Sequence, residues 1–362
     1  MSLLASPPFN LTKTFDAVDT AIDANADIAD AVLDVSLNSY GIPPDNTDWK
    51  GTATPSDMDK ARSTIRQLYR DWTAEGAAER TASFGPILDA LSRSSSHLDP
   101  SQRGRVKVLV PGAGLGRLVF EINCAGYDVE GNEISYHQLF ASNWVLNHTR
   151  SAGQFELYPW ALGFSNHTHR AHQLQCLHVP DVLPGAALDE ASAALGAEVH
   201  AYERMAMSAG DFCVLYKGDE YAACFDAVAT CFFVDTAPNL IAYVETVRHC
   251  LRPGGVWINL GPLLWHLESA PPPGSKKSTE RTSFETNQGI GEAGSFELAD
   301  EEVVLLLQHY GFEIVEHKAT GLESGYIQDP RSMLQNTYRP SSWVARKRGG
   351  TDQGSRAPEE EK

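Results

Sequence analysis

The stretch VLVPGAGLGRLVFEINCAGYDVEGNE at 108–133 constrains the fold more than any other part of the chain. Val106, Val108, Leu109 and Val110 form an apolar run of strand length. Gly112, Ala113 and Gly114 then make a turn, and Leu118, Val119 and Ile122 recur at helical spacing. A buried strand that turns through glycines into a helix opens a βαβ unit. The alternation continues, with strands near 106–110, 127–131, 225–231 and 255–260 and helices near 115–125, 135–147 and 238–251. It predicts an α/β fold with a mostly parallel, Rossmann-like, doubly wound sheet. LADEEVVLLLQHY reads as a helix, and FEIVEHK at 312–318 with SSWVARKR at 341–348 supplies a C-terminal antiparallel hairpin.

Residues 1–105 show helical spacing in pieces. In DMDKARSTIRQLYRDWTAEGAAER at 57–80, Ile65, Leu68, Tyr69 and Trp72 share one face, so an N-terminal helical region precedes the sheet domain at 106–348. Residues 267–296, with APPPGSKKSTE and NQGIGEAG, read as a long surface loop of the kind that forms a lid. The polar tail at 349–362 is expected to be disordered.

With 47 acidic residues against 29 basic ones, the formal charge of −18 repels phosphate backbones, which argues against a nucleic-acid substrate. The N-terminus lacks a secretory pattern, and no apolar run approaches the roughly 20 residues that span a bilayer. We therefore expect a soluble protein with no membrane partner, in the cytoplasm, with the nucleus also open to it. The six cysteines contain no CxxC pair, so they read as reduced core thiols. Oligomeric state is not legible.

A dinucleotide turn wants G-x-G-x-x-G, but here Arg117 stands at the third position and the spacing is Gly112, Gly114, Gly116. That spacing is the one used by Rossmann-like methyltransferases, whose backbone approaches the amino-acid part of S-adenosylmethionine. A glycine-rich turn without a ligand is the plain alternative. Glu133 ends the second strand, where an acid can accept from both ribose hydroxyls; a solvated surface acid is the other reading. Asp211 and Phe212, in SAGDF before the next strand candidates, suit an adenine site, or are a loop acid beside a core ring. CLRPGG at 250–255 reads as a helix stop and tight turn before the strand VWINL, a punctuation common in methyltransferases.

Several longer strings are more specific. DMDKARSTIRQLYRDW, VPGAGLGRL, GNE, LYPW, AGDF, TCFFVDTA and LRPGGVWINLGPLLWH resemble the carnosine N-methyltransferase family, also called N2227-like proteins, over about Asn25 to Arg348. The resemblance implies methyl transfer from S-adenosylmethionine to an imidazole nitrogen of a histidine-containing dipeptide, carnosine giving anserine. It implies donor binding by Gln67, Arg70, Gly112, Gly114, Glu133, Asp211 and Phe212, so that the N-terminal helices close the donor site. It implies acceptor binding by Asp235, His266 and Tyr338. Where family members carry a run of tyrosines before Tyr338, this chain has Asn336 and Thr337, which leaves the identity of the dipeptide open.

A neutral imidazole attacks through its lone-pair nitrogen and must then lose its other proton. A group on the N–H side would fix the tautomer and help remove that proton, and Asp235 and His266, each after a strand's C-terminal end, are the candidates for catalysis. Simpler roles compete: Asp235 as cap of a helix starting near Ala237, His266 as a satisfied histidine beneath the loop, Tyr338 as a core aromatic. NHTHRAH at 166–172 gathers histidines but no carboxylate or cysteine at ligand spacing, and this methyl transfer needs no metal, so none is expected. A protein or peptide histidine is an alternative acceptor. A nicotinamide oxidoreductase would share the turn and Glu133 but leave Gly116 and CLRPGG unexplained, and a non-catalytic protein of the same fold would show losses at the site positions, none of which is seen.

Overall fold

The computed structural model describes residues 2–43, 45–265, 296–318 and 321–349. Its strands are β1 (Lys107–Pro111), β2 (Asp128–Glu133), β3 (Phe155–Leu157), β4 (Leu177–Val179), β5 (Met205–Ala209), β6 (Phe225–Cys231), β7 (Leu251–Gly261), β8 (Phe312–Lys318) and β9 (Ser341–Lys347). Seven of them form one sheet in the order β5-β2-β1-β6-β7-β9-β8, and β3 and β4 pair separately. The pairs β1–β2, β1–β6, β2–β5 and β6–β7 are parallel, while β9 runs antiparallel to both β7 and β8. The expected parallel sheet with a C-terminal hairpin is what forms.

Helices α1 (Ser2–Ala5), α2 (Leu11–Ser39), α3 (Pro55–Trp72) and α4 (Ala77–Ser94) precede β1. They are followed by α5 (Arg117–Cys124), α6 (Tyr136–Asn147), α7 (Arg170–Gln173), α8 (Pro184–Leu195), α9 (Phe212–Leu215), α10 (Leu240–Cys250) and α11 (Asp300–His309). Strand side chains alternate in direction, so each strand feeds both faces of the sheet. Val108, Val110, Ala227, Ala229, Val256 and Ile258 meet Phe84, Ile87 and Leu91 of α4 and Leu118, Val119 and Ile122 of α5. The intervening Leu109, Val228 and Trp257, with Trp343, meet Val244 and Val247 of α10 and Val303 and Leu307 of α11. Burial from both sides explains why β1 and β6 read as nearly continuous apolar runs. A third core joins α2, α3, α6, β3 and β4 around Ile28, Leu68, Trp72, Trp144, Leu157 and Val179.

Three local details add to or change this reading. The helical spacing across 57–80 is divided in two, since the chain breaks after Trp72 and restarts at Ala77. Arg80 explains the break: its guanidinium donates to the carbonyls of Arg70 and Thr73 at 2.6 and 2.7 Å, satisfying acceptors that another helical turn would have covered. The start of α3 is equally definite, a capping box between Thr54 and Asp57 with Pro55 at the first position. Second, CLRPGG is not a turn ahead of the strand. β7 already begins at Leu251, and the extra residues form a bulge between the Phe225–Leu251 and Ala227–Val256 pairs, with Gly254 at φ 82°. Third, a strand, β5, lies directly before Asp211. Its residues MAMSA are all partly or well exposed, so no apolar alternation announces it. Among the described residues no helix is long and apolar enough to cross a membrane. All six cysteines are free, but only Cys213 and Cys250 are buried in the core and the other four are half-buried.

Candidate active site

At the C-terminal ends of β1, β2 and β6 the structure forms a cavity of about 380 Å³. Gln67, Arg70, Gly112, Gly114, Glu133, Asp211 and Phe212 all line it, so every donor position named from the sequence converges on one space. This is the crevice where open α/β sheets hold their ligands.

The turn after β1 lies across the end of β2. The Ala113 N–H donates to the Asn132 carbonyl at 2.9 Å, and the Gly114 N–H donates to Glu133 Oε2 at 2.9 Å. The two glycines serve different needs. At Gly112, with φ 68°, an added Cβ would stand 2.4 Å from Cδ2 of Phe233, so it is the protein's own ring that demands a glycine there. At Gly114, with φ 56°, an added Cβ would meet nothing within 4 Å, so this backbone faces open space beside the cavity. Gly112 thus lines the cavity with its backbone, and its bare Cα also makes room for Phe233, which lines the same cavity.

Glu133 is only 6% exposed. Its Oε1 accepts from the N–H groups of Ile134 and Ser135, both at 2.8 Å. It is therefore a built-in carboxylate, not a solvated surface acid. Burial pushes its carboxyl above the usual range, although the backbone donors Ser135, Gly114 and Ile134 pull the other way. With its amide nitrogen turned toward Glu133, Gln138 donates to both carboxylate oxygens at 3.1 and 3.2 Å and accepts from Gln67 Nε2 at 3.0 Å. A hydrogen-bonded chain thus ties α3 to the end of β2.

Other contacts fix α3 over the turn. Trp72 Nε1 donates to the Leu115 carbonyl at 3.0 Å, and Arg117 donates to the Asp71 carbonyl at 3.1 Å. Arg80 and Arg117 share the carboxylate of Asp181 at 2.8 and 2.6 Å. Arg70, held in this frame, donates to Asp71 at 2.6 Å and places its guanidinium 4.5 Å from the centre of the Tyr326 ring. Burial is the largest single influence and works against its charge, but Asp71, through its charge and its hydrogen bond, leads the neighbours that together keep Arg70 cationic.

On the opposite wall Asp211 caps α9, accepting from Val214 N–H at 2.9 Å, and Phe212 packs edge-on against Phe233 and Tyr243 at 5.8 and 5.5 Å. Phe233 and Tyr243 stack at 5.0 Å. Phe232 sits at φ 54°, a conformation an L-residue adopts at some expense, and it turns the chain at the end of β6 so that Phe232 and Phe233 both reach the cavity. Cys231 precedes them in the wall; burial pushes its thiol up to about 12 despite the pull of Arg70.

Of the acceptor positions, Asp235 and Tyr338 are described, and neither is among the residues that line this space. Asp235 is 2% exposed and accepts from Leu264 N–H at 3.1 Å, joining the end of β6 to the segment after β7. It is not the cap of the following helix: α10 starts at Leu240, and Asn239 caps it through Ala242 N–H at 3.1 Å. Tyr338 pairs with Ser324 through two backbone bonds of 2.9 and 3.0 Å, and its ring meets Phe232 edge-on at 5.7 Å. It stands behind the cavity wall, not in it. His266 and residues 267–295 of the expected lid lie outside the described residues.

Sequence reasoning missed Tyr326, Gln138, Phe233 and the clamp that presents Tyr326. Glu79, on α4, accepts from the N–H groups of Ile327 and Gln328, both at 2.7 Å, while Arg66 donates to the Ile327 carbonyl at 3.2 Å. Phe233 was visible within TCFFVDTA; the others carry no local signal. The histidines of NHTHRAH bind locally, with His167 Nε2 2.9 Å from the Gly163 carbonyl and the His169 and His172 rings edge to face at 5.1 Å.

The carnosine N-methyltransferase family model matches residues 47–349. The carnosine N-methyltransferase of Schizosaccharomyces pombe is 34% identical over 344 residues, which is 95% of this chain and 85% of that protein. The Rattus norvegicus carnosine N-methyltransferase is 35% identical over 350 residues, 95% of this chain and 77% of its own. That of Drosophila melanogaster is 36% identical over 311 residues, 86% of this chain and 59% of its own. With its donor positions gathered on one cavity and relatives this similar along most of its length, the chain belongs to the carnosine N-methyltransferase family.

Proposed function

We propose that the protein transfers a methyl group from S-adenosylmethionine to an imidazole ring nitrogen of a histidine-containing dipeptide, turning carnosine into anserine. The observation that carries this reading is the convergence of the donor positions on one cavity in a chain of this family. The residues present fit the donor: a carboxylate at the end of β2 for ribose hydroxyls, an acid and a ring after β5 for adenine, a permanent cation at Arg70 for a carboxylate, and unobstructed backbone at Gly114. When bound, S-adenosylmethionine supplies an electrophilic methyl on a cationic sulfur.

The protein's own work is alignment. An activated methyl needs an acceptor held in line and shielded from water, which an aromatic wall of Phe212, Phe232, Phe233, Tyr243 and Tyr326 favours. The Leu264 N–H orients the Asp235 carboxylate. In our reading that carboxylate accepts from the N–H side of the acceptor imidazole, holds the tautomer with its lone pair toward the methyl, and steadies the positive charge that develops. His266 assists in removing the proton, and Tyr338 helps position the dipeptide through Phe232, whose ring it meets edge-on.

The test is transfer of labelled methyl to carnosine, to related dipeptides and to histidine peptides, with the modified atom located by NMR. Label on a ring nitrogen of the dipeptide is expected. Label on its amine or carboxylate, or preference for the peptides, would overturn the assignment.

A further inference from the structure

The small sheet β3–β4 lies apart from the cavity, and none of its outward side chains lines that space. Its register puts Glu156 opposite His178. Leu157 and Leu177 point into the third core, so Glu156 and His178 share the outer face. Tyr158 and Cys176, one step beyond each strand, continue that face by the same alternation. The outcome is a carboxylate, an imidazole and a thiol whose ligand atoms all lie within 4.8 Å of one another.

We propose that Glu156, Cys176 and His178 form a binding site for a zinc-like divalent cation. Oxygen, nitrogen and sulfur are the donors that such an ion accepts together, and thiolate with imidazole selects it over calcium or magnesium, which want oxygen alone. Glu156 and His178 are at least partly in solvent, which leaves the fourth position to water.

The surroundings are those of a built site. The Tyr158 hydroxyl donates to Glu156 Oε2 at 3.1 Å, fixing that carboxylate from outside the ligand set. Tyr158 is held in turn by Asn25 of α2, which accepts from its N–H at 2.9 Å and donates to its carbonyl at 3.0 Å. Binding is a ligand exchange without redox change: the sulfur–metal bond forms as the Cys176 S–H proton leaves to solvent, and the ion gives up waters to sulfur, nitrogen and oxygen. The ion would staple β3 to β4. Just after β4, Asp181 donates its N–H to the Trp72 carbonyl at 2.9 Å and receives Arg80 and Arg117, so the staple stiffens the frame behind α3 without entering the reaction.

The experiment uses the full chain, stripped with a chelator and titrated with cobalt(II), whose thiolate charge-transfer band reports sulfur ligation. One equivalent of cobalt with that band, displaced by zinc, is expected. Cys176→Ser should abolish the band, and His178→Ala should weaken binding at least about tenfold. Zinc should raise the Tm of the parent by several degrees and that of either variant by less. The proposal fails if the parent takes up no cobalt, if uptake lacks the band, or if both variants bind as the parent does.

Discussion

Along the donor side of the cavity, β1, its turn and the end of β2 all fall within 107–133, and Glu133 reaches Gly114 across a single crossover. The acceptor side is gathered from much farther apart: Asp235 after β6, Leu264 after β7, and Tyr326 and Tyr338 from beyond α11. In the 107–133 stretch the geometry is enforced by strand pairing itself, with Gln67 and Arg70 brought in from α3 and Asp211 and Phe212 from after β5. On the acceptor side it rests on single side-chain clamps, Asp235 on Leu264 and Glu79 on Ile327 and Gln328. A locally built half tolerates change outside its motif, whereas a half built from distant segments depends on every clamp.

The largest effect is expected at Asp235. Asp235→Ala should lower kcat/KM for the dipeptide by about 10²–10⁴-fold and leave affinity for S-adenosylhomocysteine nearly unchanged. Asp235→Asn retains an oxygen for the Leu264 N–H. Full recovery of turnover in the Asn variant would reduce Asp235 to a clamp and erase the chemical difference between the two sides.

Next is Glu133→Ala, which should weaken donor affinity by about 1.5–3 kcal/mol, roughly 10- to 150-fold, as titration calorimetry with S-adenosylhomocysteine would show. A change confined to acceptor KM would place Glu133 on the wrong side. Gly112→Ala should weaken the donor through overpacking against Phe233, at a cost of about 1–3 kcal/mol. Adding Phe233→Ala should restore part of that loss; no recovery at all would return Gly112 to direct contact with the ligand.

Glu79→Gln tests the clamp, because an amide offers only one acceptor oxygen to two N–H groups. Leaving one buried donor unmet costs about 1–3 kcal/mol of stability, read as a fall in denaturation midpoint, and acceptor KM should rise more than donor KM. Equal changes in the two KM values would mean that the clamp supports the whole site.

The smallest effect is in pH. Glu133 accepts from hydroxyls when ionised, and burial raises its pKa above the ordinary value of about 4.3. On acidification its carboxylate is therefore lost earlier than an exposed one, so donor affinity should decline while other carboxylates are still ionised. Calorimetry across pH checks this, and Glu133→Gln should show no such decline.

What could be read in advance follows the same division. The strand, turn and helix at 107–124 are legible because glycines and apolar spacing are local properties, and Glu133 follows from its place at a strand end. Gln67 and Arg70 needed the family resemblance, since nothing in a helix announces which turn it will lie across. β3 and β4, with three residues each, are too short to show a period. The split between α3 and α4 depends on Arg80 supplying donors from the next helix, and Tyr326 on a glutamate far away in the chain. Such features belong to tertiary structure and leave no mark on the segments they control.

Cys231 brings a different consequence. A methylsulfonium is an alkylating reagent, and this cavity keeps a cysteine in its wall. Sulfur attacks such reagents as thiolate, and with the thiol pushed up to about 12 only about one molecule in 10⁵ would carry that form at neutral pH. The vessel is thereby kept from consuming its own reagent: the soft nucleophile in its wall is held capped by a proton, and methyl is left for the guest.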